Sequence, residues 1–245
     1  MDEEPPKPAP PKPARRRMVR PPTGGNEGGR SKPARLKTAT GRTPSSQAWL
    51  ERQINDPFSA RARAMGYRSR AAFKLTEIDD RFQLIRRGSK VIDLGCAPGG
   101  WIQVALQRHA GSVVGVDLLE IDPPLQGDAH ILVMDFTDPA CPARLLEVLG
   151  GPPDVVLSDM APNTVGHKQT DHLRIMNLIE IAADFAIEVL KPGGAFVTKA
   201  FQGGETAGVI ALLKKHFTVV RMMKPKASRS DSSEVYFVAT GFKGR

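Results

Sequence analysis

The run Lys90-Val91-Ile92-Asp93-Leu94-Gly95-Cys96-Ala97-Pro98-Gly99-Gly100-Trp101 passes from a short apolar segment through a glycine-rich turn toward a helix. Val91, Ile92 and Leu94 form a run too short for a buried helix and bounded by turn residues, the pattern of a buried strand. Ile102, Ala105, Leu106 and His109 then recur at helical spacing on one face. Outward from this unit the alternation repeats. Strands are expected at Ser112 to Val116, His130 to Met134, Asp154 to Ser158 and Ala195 to Thr198, and Ile175, Leu178, Ile179, Ala182, Ala186 and Val189 mark a helix before the fifth. Strand and helix in alternation imply right-handed crossovers and a parallel sheet covered on both faces. The fold class is therefore α/β, doubly wound and Rossmann-like.

The end of the chain breaks this rhythm. Phe217 to Met223 and Val235 to Phe242 read as two further strands, which brings the sheet to seven. The polar loop between them, Lys224 to Glu234, is too short for a crossover helix, so the last strand should run antiparallel. An antiparallel last strand starts where the parallel strands end. Glu234 should then share the carboxyl rim with the ends of strands four and five, where open α/β sheets bind their ligands.

Glycines at a strand-to-helix turn let backbone approach a ligand closely, and Asp117, ending the second strand, can accept hydrogen bonds from two ribose hydroxyls. A nucleoside-containing ligand follows. The dinucleotide fingerprint G-x-G-x-x-G fails, because its second glycine falls on Ala97 and is followed by Pro98, and no P-loop pattern is present. A second acid, Asp135, follows the third strand. Four more residues carry reactive groups. Lys74 lies four residues before Ile78 in the apolar stripe of a helix, Asp159 ends strand four, Lys199 is read as ending strand five, and Glu234 opens the last strand. Singly each has an ordinary explanation, a snorkelling lysine or a turn acid, yet the topology sends Asp159, Lys199 and Glu234 to one rim.

Taken together, R-S-R-A-x-F-K-L from Arg68, D-L-G-x-x-P-G-G-W from Asp93, D-M-A-P-N from Asp159, L-K-P-G-G from Leu190 and S-x-E-x-Y from Ser232 resemble the FtsJ family of ribosomal RNA large-subunit methyltransferases. The motifs run in order from about Gln47 to the C-terminus. The resemblance implies a class I S-adenosylmethionine-dependent methyltransferase fold and transfer of a methyl group to a uridine ribose 2′-hydroxyl of 23S rRNA within the large ribosomal subunit. It assigns a catalytic tetrad to Lys74, Asp159, Lys199 and Glu234, and contacts with S-adenosylmethionine to Gly99, Trp101, Asp117, Asp135 and Asp159. A cytoplasmic monomer that needs no metal is the expectation. Chemically this is coherent: the sulfonium methyl is already activated, so an enzyme must align the hydroxyl and remove its proton. Lys199 is the base in this reading, with Lys74 the neighbouring cation that favours its neutral form.

Other chemistries fit less well. Base C5 methylation needs a cysteine nucleophile, whereas Cys96 lies in the glycine turn and Cys141 opens a helix. Amine methylation favours an aromatic residue where Asp159-Met160-Ala161-Pro162 has none. The five histidines show no metal-ligand spacing. A non-catalytic RNA-binding assembly factor on the same scaffold is the alternative from another class.

The chain carries 35 Lys and Arg against 26 Asp and Glu, a formal charge of +9. That excess is unevenly placed. Residues 1–45 hold eleven basic and four acidic residues and ten of the 21 prolines, which leaves 46–245 at +2. With few large apolar side chains, the first segment reads as a disordered basic arm ahead of one catalytic domain, without the apolar core of a secretory signal. No stretch is long and apolar enough to span a bilayer. Such an arm sets affinity through counterion release rather than chemistry. Deleting residues 1–45 should weaken RNA binding and flatten its salt dependence while sparing cofactor binding; RNA affinity unchanged across a potassium chloride titration would show the arm's charge to be incidental.

Overall fold

The computed structural model describes residues 47, 50, 51, 54–161, 168–202 and 206–244. The expected arm, and its boundary at residue 46, lie outside the described residues. Gln47, Leu50, Glu51 and Ile54 are helical, and α1 (Pro57–Ala64) and α2 (Ala71–Phe82) follow. There follow β1 (Lys90–Leu94), α3 (Gly100–Gln107), β2 (Ser112–Asp117), β3 (Ala129–Val133), α4 (Cys141–Leu149) and β4 (Val155–Ser158). The chain ends with α5 (Lys168–Val189), β5 (Ala195–Phe201), α6 (Ala207–His216), β6 (Phe217–Met223) and β7 (Glu234–Phe242).

The sheet order is β3-β2-β1-β4-β5-β7-β6, with β7 antiparallel to both of its neighbours and the remaining pairs parallel. The doubly wound, seven-stranded expectation with an antiparallel last strand therefore holds. Strand order reverses between β1 and β4, and that switch point is where the turn after β1 and Asp159 after β4 meet the carboxyl rim. Ile92 and Leu94 of β1 pack into the core shared with α4, α5 and α6, whereas Val91 packs into the core shared with α2 and α3. By alternation Asp93 faces α2 and α3 as well.

Three expectations need correction. β5 continues to Phe201, so Lys199 is an interior residue of that strand and not its end; antiparallel pairing with β7, Lys199 opposite Tyr236 and Phe201 opposite Glu234, extends it. α3 stops at Gln107, and His109 lies beyond it at φ 60°, exposed, so it does not join the helix face with Ile102 and Ala105. β3 is an edge strand, half exposed, with Val133 turned to solvent, and was expected to be buried.

The placement of α2 matters most for the rim. Ala72, Leu75 and Ile78 are fully buried against the sheet. Its C-terminal end is set by Asp79, whose Oδ1 accepts the backbone N–H groups of Leu84 and Ile85 at 3.0 and 2.9 Å and whose Oδ2 pairs with Arg108 Nε at 3.0 Å beyond α3. A buried carboxylate holding three donors fixes both the exit of α2 and its contact with the next helix. Among the described residues no helix is long and apolar enough to cross a membrane. Asp79→Ala leaves two buried amides without an acceptor, so urea unfolding should report a loss of about 2–4 kcal/mol; a loss below about 0.5 kcal/mol would mean that α2 is held by packing alone.

Candidate active site

The register of the sheet assembles the site. Ser158 pairs with Thr198, so Asp159, the next residue, emerges beside Lys199, while Lys199 faces Tyr236 across β5 and β7. α2 delivers Lys74 onto the same face from above the sheet. Lys199 Nζ donates to the Asp159 backbone carbonyl at 2.5 Å and pairs with its Oδ1 at 3.1 Å. Lys74 Nζ lies 2.8 Å from each carboxylate oxygen of Glu234 and 3.2 Å from the Tyr236 hydroxyl. That hydroxyl donates to Asp159 Oδ1 at 2.7 Å, which links the two ion pairs. All four tetrad residues anticipated from the sequence thus meet in one partly buried cluster, beside a cavity of about 310 Å³ lined by Lys74, Glu234, Arg70, Arg229, Asp231 and Ser232.

The electrostatics follow from these contacts. Burial pushes the Asp159 carboxyl up, but Lys199 foremost, then Lys74 and the Tyr236 hydroxyl, more than offset it and hold the group below the usual carboxylate range. Tyr236 is shifted the other way, well above the usual phenol range, by burial first and by Asp159 and Glu234 next. It therefore remains a phenol and a donor, which excludes it as a base. Burial pushes the Cys141 thiol up to about 11 and the Cys96 thiol higher still, with Asp93 and Asp117 adding to the latter. Neither cysteine is an available thiolate.

The glycine turn has the shape of a ligand cradle. Gly99 lies at φ 101°, and a Cβ there would come within 3.0 Å of Leu125, so only glycine is free of strain at this position. Gly100 lets Ser69, just before α2, approach where a Cβ would come within 2.6 Å of its Oγ. Trp101 is buried; its indole N–H donates to the Ala71 carbonyl at 2.8 Å and its ring lies 5.8 Å from that of Tyr236. Its side chain braces α3 against α2 and the tetrad. Asp117 accepts the Ala97 and Leu119 amides, each at 2.9 Å, so it shapes the turn and keeps a second lone pair on each oxygen. Asp135 is exposed two residues after β3 and accepts the Thr137 amide and hydroxyl, which lower its pKa.

Sequence reasoning missed Asp93. Its carboxylate is buried with no hydrogen-bond partner among the described residues, and burial, then Asp159 and Asp117, push it well above the ordinary carboxylate range. Buried carboxyls and a turn free of side-chain bulk suit a cationic nucleoside. Tyr236, quoted only as part of a motif, proves to be the hub of the cluster, and Ser228 donates to Glu234 Oε1 at 2.7 Å. Arg68 and Arg70, the two arginines of the motif before Lys74, are taken up by the fold. Arg68 donates to the carbonyls of Pro98, Pro123 and Pro124, and Arg70 pairs with buried Asp56 and donates to the Ala227 carbonyl.

A sequence-family model described as FtsJ-like methyltransferase matches residues 67–242, most of the chain. A protein of Caulobacter sp. strain K31 named ribosomal RNA large subunit methyltransferase E is 75% identical over 228 residues, 93% of this chain and all of that protein. The protein of the same name from Caulobacter vibrioides is 71% identical over the same shares. A match of 228 residues is longer than 46–245, so it reaches into the N-terminal segment that the motif resemblance leaves out. Among solved structures, a ribosomal RNA methyltransferase from Plasmodium falciparum is 30% identical with a TM-score of 0.65, covering 73% of this chain and all of that one.

Asp93 supplies a test of the rim's electrostatics. Its folded pKa is raised above the ordinary value of the unfolded chain, so between the two the folded state holds one more proton and stability falls as pH rises. Asp93→Asn removes that dependence. The stability of the variant relative to the parent should grow between about pH 4 and pH 7, by at most about 1.4 kcal/mol per pH unit; a difference in urea stability that stays constant over this range would show the carboxyl to be ionised throughout.

Proposed function

The chain belongs to the FtsJ-like methyltransferase family, and we propose that it transfers the methyl group of S-adenosylmethionine to the 2′-hydroxyl of a uridine in 23S rRNA. The substrate reading rests on the large-subunit methyltransferases to which it is 75% and 71% identical over 228 residues. Gly99, the Trp101 backbone, Asp117, Asp135 and Asp159 would hold the cofactor, with Asp93 beneath the turn. When bound, it supplies an activated methyl on a sulfonium that needs no metal.

The single observation that carries the mechanism is a count of bonds. An ammonium has three N–H directions. On Lys74 the two oxygens of Glu234 and the Tyr236 hydroxyl account for all three. On Lys199 the carbonyl and carboxylate of Asp159 account for two, so one position on Nζ remains to meet a substrate hydroxyl. Lys199 is accordingly the general base, its open position taking the lone pair that accepts the hydroxyl proton while its other two positions stay on Asp159, and Lys74, held by Glu234, is the fixed cation that steadies the alkoxide as it forms. Asp159 orients Lys199 through two contacts and would border the methyl group of a bound cofactor. We read the enzyme as a monomer that acts on the large subunit in the cytoplasm.

Loss of the base costs about 10²–10⁴ in rate. Lys199→Ala should lose methyl transfer by that factor on large-subunit particles from cells lacking the enzyme, with unchanged cofactor affinity by calorimetry. Radiolabel from the wild-type enzyme should survive alkaline hydrolysis of the RNA as a single resistant dinucleotide. Label on a base, no label at all as for an assembly factor, or near-normal turnover by Lys199→Ala would overturn the corresponding part of the proposal.

A further inference from the structure

The basic residues around the site divide into two sets. Arg68 and Arg70 are consumed by the fold. Lys226 and Arg229, in the loop between β6 and β7, have neither an ion-pair nor a side-chain hydrogen-bond partner among the described residues, and Arg229 is nonetheless half-buried. Beside them runs a groove of about 890 Å³, walled on one side by Pro57, Phe58 and Pro225 and edged by Lys224, Lys226 and Arg229. Asp231 is the acid on this lip and is outnumbered by the three cations; Asp56, the other carboxylate of the groove, is bound to Arg70. The lining combines the Phe58 ring, which Arg70 covers at 5.5 Å from its centroid and Phe73 packs at 5.8 Å, with an unpaired guanidinium, groups suited to border a flat base and to hold an anionic phosphodiester.

The groove adjoins the cavity beside the tetrad. Arg70, Arg229 and Asp231 line both, and the second cavity carries Lys74 and Glu234. A polynucleotide whose reacting ribose lies at the tetrad would thus place its neighbour in the groove. The loop is also tied to the same helix as the tetrad. Glu77 stands three residues after Lys74, on the same face of α2, and its two oxygens accept the backbone N–H groups of Lys226 and Ala227 at 2.7 and 2.9 Å. The next residue, Ser228, donates to Glu234, which holds Lys74. One helix face therefore grips the loop at both ends, through Glu77 at its start and through Lys74 and Glu234 at its finish.

We infer that this groove is a subsite for the nucleotide flanking the methylated one, with Arg229 and Lys226 holding its phosphodiester, Phe58 and the Arg70 guanidinium stacked on it bordering its base, and Glu77 acting as the positioning residue that fixes the loop. The inference rests on the proposed RNA substrate. Glu77 touches no reacting atom. It sets where Arg229 stands and, through Ser228, how Glu234 meets Lys74.

The test uses full-length enzyme and large-subunit particles from cells lacking it, with KM, kcat and the slope of log(kcat/KM) against log[KCl] measured for each variant. Arg229→Ala should raise KM for particles about tenfold, leave kcat within about twofold, and make the salt slope shallower by about one phosphate's share, with cofactor affinity and melting temperature unchanged. Glu77→Ala should raise KM and lower kcat together, and Glu77→Gln, whose amide oxygen still accepts one of the two loop amides, should recover part of both. If the wild-type enzyme labels the particles while Arg229→Ala keeps the parental KM and slope, the groove inference fails alone. If Glu77→Ala keeps the parental KM, the positioning role fails. If the wild type itself places no label on the RNA, the substrate reading fails and takes this inference with it.

Discussion

Two ammonium groups and two carboxylates meet at the edge of a sheet where each is largely withdrawn from water. Such a cluster survives only if every charge is matched and hydrogen-bonded, because the desolvation of an unpaired ion outweighs the Coulomb energy available from distant partners. Here Lys199 is matched by Asp159 and Lys74 by Glu234, and the Tyr236 hydroxyl ties the pairs together. The rest of the rim serves this requirement. α2 must be fixed at its end by Asp79 so that Lys74 arrives in register, and the β6–β7 loop must be fixed by Glu77 so that Ser228 can complete the coordination of Glu234.

Beside this balanced cluster the same rim keeps one group out of balance. Asp93 is buried without a partner among the described residues and is raised by burial and by two neighbouring carboxylates. Such a group is a liability to an empty fold and an asset to one that takes up a cation. The contrast between Asp93, pushed up, and Asp159, held down by two lysines, divides the acids of the rim into a part beneath the turn and a part paired with the lysines.

Much of this was legible along the chain because it depends on local spacing. The strand-turn-helix unit at Asp93 to Trp101, the alternation behind it and the acids Asp117, Asp135 and Asp159 at the ends of the second to fourth strands are read directly from period and turn chemistry. The tetrad members were legible as residues in motifs. Less legible were groups whose significance comes from a partner far away in sequence. Tyr236 is 77 residues from Asp159 and 162 from Lys74, and Glu77 is about 150 from the amides it holds. Arg70 looks identical in sequence to a free phosphate ligand, and only its pairing with Asp56 and its bond to Ala227 show that the fold has consumed it.

By itself, then, the sequence determined the class of fold, the position of the ligand turn and the rim at which Asp159, Lys199 and Glu234 gather, because hydrophobic period, glycine placement and loop length are local quantities that act on topology directly. Tertiary structure alone decided which lysine has a valence to spare, which arginines remain free, and that β5 runs on past Lys199 under the cover of β7. Those outcomes depend on side chains competing for the same few donors and acceptors, and that competition is settled only when distant segments are packed within hydrogen-bond distance of each other.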